Sequence, residues 1–97
     1  MRVRIARLAQ RDIREAVDWY EEQHEGLGLR FVEAVSRALL QVIENPTRFQ
    51  TVHRNARRAL AGRFPYGIYF VAAEDLIRVV AVVHLHRDAR AWRRRLR

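Results

Sequence analysis

The side chains best suited to chemistry in this sequence are its arginines and histidines, and the arginines crowd toward one end. Residues 48–97 hold 12 Arg against 3 acids, whereas residues 1–47 hold 7 Arg against 8 acids. A guanidinium presents a planar fork that pairs bidentately with phosphate or carboxylate, so the asymmetry points to a strongly negative partner. For a chain that only grips its target, the candidate contact set is Arg57, Arg58, Arg63, Arg87, Arg90, Trp92, Arg93 and Arg94. His84 and His86 are expected on opposite sides of their strand, and His24 and His53 on the surface without partners. With no Cys and no ligand-like spacing of His, Asp and Glu, neither a metal nor a cofactor is expected.

The elements that must position these groups follow from periodicity. Residues 2–8 alternate, with Val3 and Ile5 on one side and Arg2 and Arg4 on the other, as in a half-buried strand. From Ala9 to about His24, Ile13, Ala16, Val17 and Tyr20 recur at helical spacing, while Arg11/Glu15 and Arg14/Asp18 pair on the wet face. Of the neighbours Trp19 and Tyr20, only one can face fully inward, which leaves the other as a candidate anchor for a partner. Gly26 and Gly28 break the pattern, and a second helix carries Leu29, Val32, Val35, Leu39 and Val42 before Asn45-Pro46 stops it. So short a link makes the two helices antiparallel.

After a loop through His53-Arg54-Asn55, three strands are expected over Arg57–Arg63, Tyr66–Ala72 and Leu76–Leu85, joined by antiparallel turns. The last is almost continuously apolar, which suits a central strand covered on both faces. Asp88 is a good N-cap for one or two helical turns in the tail, where six of the last eleven residues are Arg. The order β-α-α-β-β-β describes an α+β fold: a small twisted antiparallel sheet, an N-terminal helical hairpin packed on one face, and a short C-terminal helical tail. The other sheet face is expected to be open and Arg-lined, a natural place for a ligand. A chain of 97 residues supports one domain over residues 1–97. Its longest apolar run, Val79 to Val83, is far short of the ~20 residues a membrane span needs, so no membrane partner is expected. The opening Met1-Arg2-Val3-Arg4-Ile5 lacks the apolar stretch of a secretory signal, so a cytoplasmic location is expected.

Several strings, taken in order, resemble the RelE/ParE superfamily of type II toxin-antitoxin toxins. They are Asp18-Trp19-Tyr20-Glu21, Gly26-Leu27-Gly28-Leu29-Arg30-Phe31, Asn45-Pro46, Arg57-Arg58-Ala59-Leu60, Phe64-Pro65-Tyr66-Gly67-Ile68-Tyr69 and His84-Leu85-His86-Arg87-Asp88. The resemblance covers essentially the whole chain. It implies a growth-inhibiting toxin, of the kind associated with plasmid stabilization, silenced by a cognate acidic antitoxin. RelE-like members are ribosome-dependent, metal-independent mRNA endonucleases (mRNA interferases); ParE-like members poison DNA gyrase. Carried onto this chain, an arginine of the nuclease branch falls on Gly67, and its paired lysines fall on Arg58 and Leu60. Arg87 matches, and Trp92 and Arg93 stand near the late tyrosine. Glycine offers no charge and indole no acid or base, although Arg63 could restore a phosphate contact from a shifted position; for cleavage without metal the nuclease branch then implies Arg58, Arg63 and Arg87 as the residues that hold the phosphate and steady its developing charge, with His84 moving the proton. The resemblance therefore implies a ParE-like gyrase inhibitor, with a RelE-like nuclease acting on ribosome-bound mRNA as the alternative.

Overall fold

The computed structural model describes residues 1–96; Arg97, counted in the basic tail, lies outside the described residues. The chain runs β1 (Arg2–Ile5), α1 (Arg7–Gln23), α2 (Leu27–Glu44), a 3-10 turn (Pro46–Arg48), β2 (Thr51–His53), β3 (Ala56–Leu60), β4 (Tyr66–Ala73), β5 (Leu76–His84) and α3 (Ala89–Arg93). The α+β architecture with its helical hairpin and short terminal helix is the expected one. Several details differ, beyond one- or two-residue changes at the ends of α1, β4 and β5. The first strand stops at Ile5 rather than at residue 8, α2 starts at Leu27, the strand expected at Arg57–Arg63 is Ala56–Leu60, and part of the expected loop forms β2 against β3.

The sheet order is β1-β5-β4-β3-β2. Every pair is antiparallel except β1 with β5, which run parallel from Arg2↔Leu76 to Ile5↔Val79, so the sheet is mixed rather than wholly antiparallel. Parallel pairing needs a long crossover, and the helical hairpin with the strands that follow supplies one. β5 is an interior strand between β1 and β4, covered on both faces as its apolar run implies, although β4 is the middle strand.

α1 buries Ala9, Asp12, Ala16 and Tyr20, and α2 buries Gly28, Phe31, Ala34, Val35, Ala38 and Val42. The link between them is tied by Glu21, whose carboxylate accepts from the Gly26 and Gly28 N–H groups, both at 2.9 Å. These are amides at the start of α2 that no preceding helical turn can satisfy. The pair of helices and the sheet enclose one core, with Phe31, Phe70, Ile68, Ile77, Val79 and Val82 at its centre. Of the adjacent aromatics on α1, Tyr20 turns inward to meet Phe31 and Phe64, while Trp19 is 55% exposed.

The opposite sheet face is not open, which corrects the expectation. Tyr69, Val71, Val80, Ala81 and Val83 form a second core there, roofed by Trp92 and Leu96 from the C-terminal segment. Trp92 and Leu96 are four residues apart, one helical turn, and so come down on the same side. The Trp92 and Tyr69 rings stack with centroids 4.1 Å apart.

Candidate functional site

The C-terminal segment is fixed by an ion pair that the sequence reading missed. β1 covers β5 only to Val79, whose carbonyl accepts from the Ala6 N–H at 2.9 Å. Beyond it a register shift against β4 turns Val80 and Ala81 toward the same face. Asp12 and Arg95 satisfy the backbone there. The Val82 N–H donates to Asp12 Oδ2 at 3.0 Å, and Arg95 Nη1 donates to the Val80 carbonyl at 3.0 Å. The two side chains also pair with each other, Nη1 to Oδ2 at 2.6 Å and Nη2 to Oδ1 at 3.2 Å, with only 11% of Arg95 and 3% of Asp12 exposed. A buried pair persists when it is bidentate and its remaining polar atoms are met, as they are here.

With Trp92, Arg95 and Leu96 turned inward, the helical spacing sends Arg90, Arg93 and Arg94 outward. These three, with His53, Arg54 and Leu96, line a recess of about 450 Å³. His53 is half-buried beside Trp92 rather than a partnerless surface residue, with ring centroids 6.3 Å apart. Its proton affinity is lowered, first by desolvation and then by the charges of Arg93 and Arg54. Arg90 is partly engaged, since its guanidinium lies 2.8 Å from the Asp88 carboxylate, and that hydrogen bond is the main cause of the lowered Asp88 pKa. Asp88 also caps α3 as expected, accepting from the Arg90 N–H at 3.0 Å.

The other expected site residues lie elsewhere. His84 and Arg87 share a recess of about 270 Å³ with Tyr66, Trp19, Asp12 and Glu15. Burial raises the Tyr66 pKa there, against the pull of Arg87. His86 joins His84 instead of opposing it: the ring centroids are 5.3 Å apart and the His86 N–H donates to His84 Nδ1. Residues two apart share a strand face, and β5 ends at His84, so the expectation of opposite sides is corrected. Arg63 sits in the β3–β4 turn and lines a third recess, of about 480 Å³, with Arg30, Glu33 and Arg37 of α2. Arg58 pairs in register with Tyr69 and so lies on the face away from the helices, while Arg57 donates to the Phe49 and Thr47 carbonyls at 2.6 and 3.3 Å. Arg57 therefore ties down the loop before β2. The expected convergence of these arginines on one patch is corrected: Arg63 and Arg87 stand at the same end of the sheet, where the Leu85 N–H donates to the Pro65 carbonyl, but line separate recesses, and Arg57 and Arg58 lie on opposite faces of β3. Trp92, expected among the target contacts, is 3% exposed and packs the protein's own sheet.

Gly67 is covered. A Cβ built on it would lie 2.8 Å from Tyr69 Oη and 2.9 Å from two ring carbons, so the phenol lies across the glycine backbone. With Trp92 stacked on that phenol, the face is filled by aromatic side chains. No helix among the described residues is long and apolar enough to cross a membrane.

Residues 3–89 match the family described as the ParE toxin of the type II toxin-antitoxin system parDE. The chain belongs to the ParE toxin family. Among solved structures it is similar to a chain of the chromosomal ParDE TA system from P. aeruginosa, with a TM-score of 0.76 and 15% identity over 87% of this chain and 95% of that one. No curated protein matches the sequence.

In this ParE-family toxin, Gly67 stands where the RelE/ParE resemblance puts a nuclease arginine, and Tyr69 occupies the space that such a side chain would need. The residues that sequence reasoning missed are Asp12, Arg95, Tyr69 and Arg54. Asp12 carried a readable signal: it falls in the apolar phase of α1, between Ala9 and Ala16, where a carboxylate demands a partner. Nothing in the order of residues pointed to Arg95 among its arginine neighbours.

Proposed function

We propose that this type II toxin inhibits DNA gyrase in the cytoplasm by binding it, with no bond made or broken, and that a cognate acidic antitoxin silences it. The observation that carries this reading is the aromatic stack of Trp92 and Tyr69 over Gly67. It supports a binding action because a metal-free nuclease needs cations and a proton carrier around one phosphate. Here Arg58, Arg63 and the His84–Arg87 pair stand at separate places. The outward Arg90, Arg93 and Arg94 supply a surface suited to gripping a target, and an antitoxin carboxylate segment would compete for it. One observation favours the alternative of mRNA cleavage on the ribosome: Tyr66, His84 and Arg87 line one recess. Its neighbour Glu15 would repel a phosphate.

Purified toxin added to gyrase and relaxed plasmid is expected to block supercoiling, and addition of the antitoxin to restore it. Ribosomes programmed with a defined message are expected to keep that message intact. Cuts positioned by codon, with supercoiling unaffected, would reverse the assignment.

A further inference from the structure

The recess of Arg90, Arg93 and Arg94 is one part of a longer feature. It shares Arg54 and Leu96 with a neighbouring hollow of about 390 Å³ that adds Asn55 and Arg78. A third hollow, of about 340 Å³, shares Arg78 with the second and Arg94 with the first, and adds Arg7 at the start of α1. These shared residues link the three into one track. Among the described residues, no Asp or Glu lines any of them. Of the arginines along it, Arg95 is taken by Asp12 and Arg90 by Asp88. Arg7, Arg54, Arg78, Arg93 and Arg94 have no ion-pair partner among the described residues. Strand register extends the charge further, setting Arg4 beside Arg78.

We infer that this track binds the phosphodiester backbone of duplex DNA directly, without gyrase and without reading sequence. Its single sign and continuous course suit a linear array of phosphates, which guanidinium groups neutralise one by one. A carboxylate segment can compete for this charge, but beyond Leu8, Val80 and Leu96 the lining among the described residues offers it no Trp, Tyr or Phe as a central anchor, because Trp92 and Tyr69 are used beneath it. The same absence argues against a single strand, whose bases need exposed aromatic faces on which to stack. An anion between Arg54 and Arg93 would offset the charges that, after desolvation, lower the proton affinity of His53.

The test is fluorescence anisotropy of a labelled duplex of mixed sequence titrated with the free toxin at several salt concentrations. Five phosphate contacts give a slope of log Kobs against log salt of about −4.5, or roughly 500-fold weaker binding at 200 mM than at 50 mM. R54N/R78Q removes two of them, so the slope should become shallower by about 2. R30Q/R37Q, with the same change in net charge in the recess on α2, should leave it unaltered. The proposal is overturned by no binding at 50 mM salt, by equal losses in the two double variants, or by tighter binding of polyglutamate or single-stranded DNA than of duplex. Because gyrase is absent, failure here leaves the reading of gyrase inhibition standing, and success does not depend on it.

Discussion

Replacing Arg95 by Met removes one member of the Asp12 pair while keeping an apolar stem of similar reach. Asp12 would then be 97% removed from solvent with its carboxylate facing only the Val82 N–H, since its side chain is 3% exposed. Stranding one charge of a buried pair costs about 3–5 kcal/mol. The whole stability of a chain this long is on the order of 5–15 kcal/mol, so a third or more is at stake in many cases. At roughly 4–8 °C per kcal/mol for a small domain, Tm should fall by at least about 12 °C. Urea titration followed by tryptophan fluorescence reads this well, because Trp92 is 3% exposed and Trp19 55%, so the change on unfolding comes chiefly from the segment that Arg95 anchors. In D12A/R95M the stranded charge is gone, and what remains unmet is the Val82 N–H and the Val80 carbonyl. The double variant should therefore lose less than the sum of the single losses, by about 1–3 kcal/mol. A loss under about 1 kcal/mol for R95M, or strict additivity in the cycle, would refute the clamp.

Gly67→Ala puts a methyl group against the Tyr69 ring, and overpacking of this kind costs about 1–3 kcal/mol; a melting curve superimposable on that of the parent would show that the phenol is not held there. Glu21 gives a pH prediction. The Gly26 and Gly28 amides hold its carboxyl below the usual range, so its stabilisation is fully present above that range and is lost as pH falls through the lowered value. The Tm gap between the parent and Glu21→Gln should thus be widest near neutral pH and shrink in acid; a gap that stays constant down to pH ~2 would rule out the carboxylate as its source.

The helices and the last strands were legible because their signals are local: a three- and four-residue period in α1 and α2, and an unbroken apolar run in β5. The covered second face was legible too, in principle. A strand such as β5 places neighbouring residues on opposite faces, so apolar residues at every position from Val79 to Val83 required cover on both sides. An open face contradicts that requirement. The missing layer was hidden because its anchors, Trp92 and Leu96, stand among arginines in a stretch whose composition suggests a solvated arm. Among the candidate site residues, charge clustering in sequence did not translate into clustering in space. Arg57 and Arg58 take opposite faces of β3, while Arg63 and Arg87 share one end of the sheet but line separate recesses, and no local pattern records which recess a turn residue enters.

The C-terminal segment couples stability to the proposed binding surface through its own periodicity. Trp92, Arg95 and Leu96 turn inward to roof the second core and clamp β5, while Arg90, Arg93 and Arg94 turn outward to line the track. The same few residues thus fix the fold and aim the charge. Loss of Arg95 should therefore disturb anion binding without touching an anion, because the outward guanidiniums lose their placement relative to Arg54 and Arg78 on the sheet. A charge-reducing change at Arg93 or Arg94 should act in the opposite manner, weakening binding while leaving the melting curve in place. That separation distinguishes an arm that merely carries charge from one whose packing sets where the charge lies.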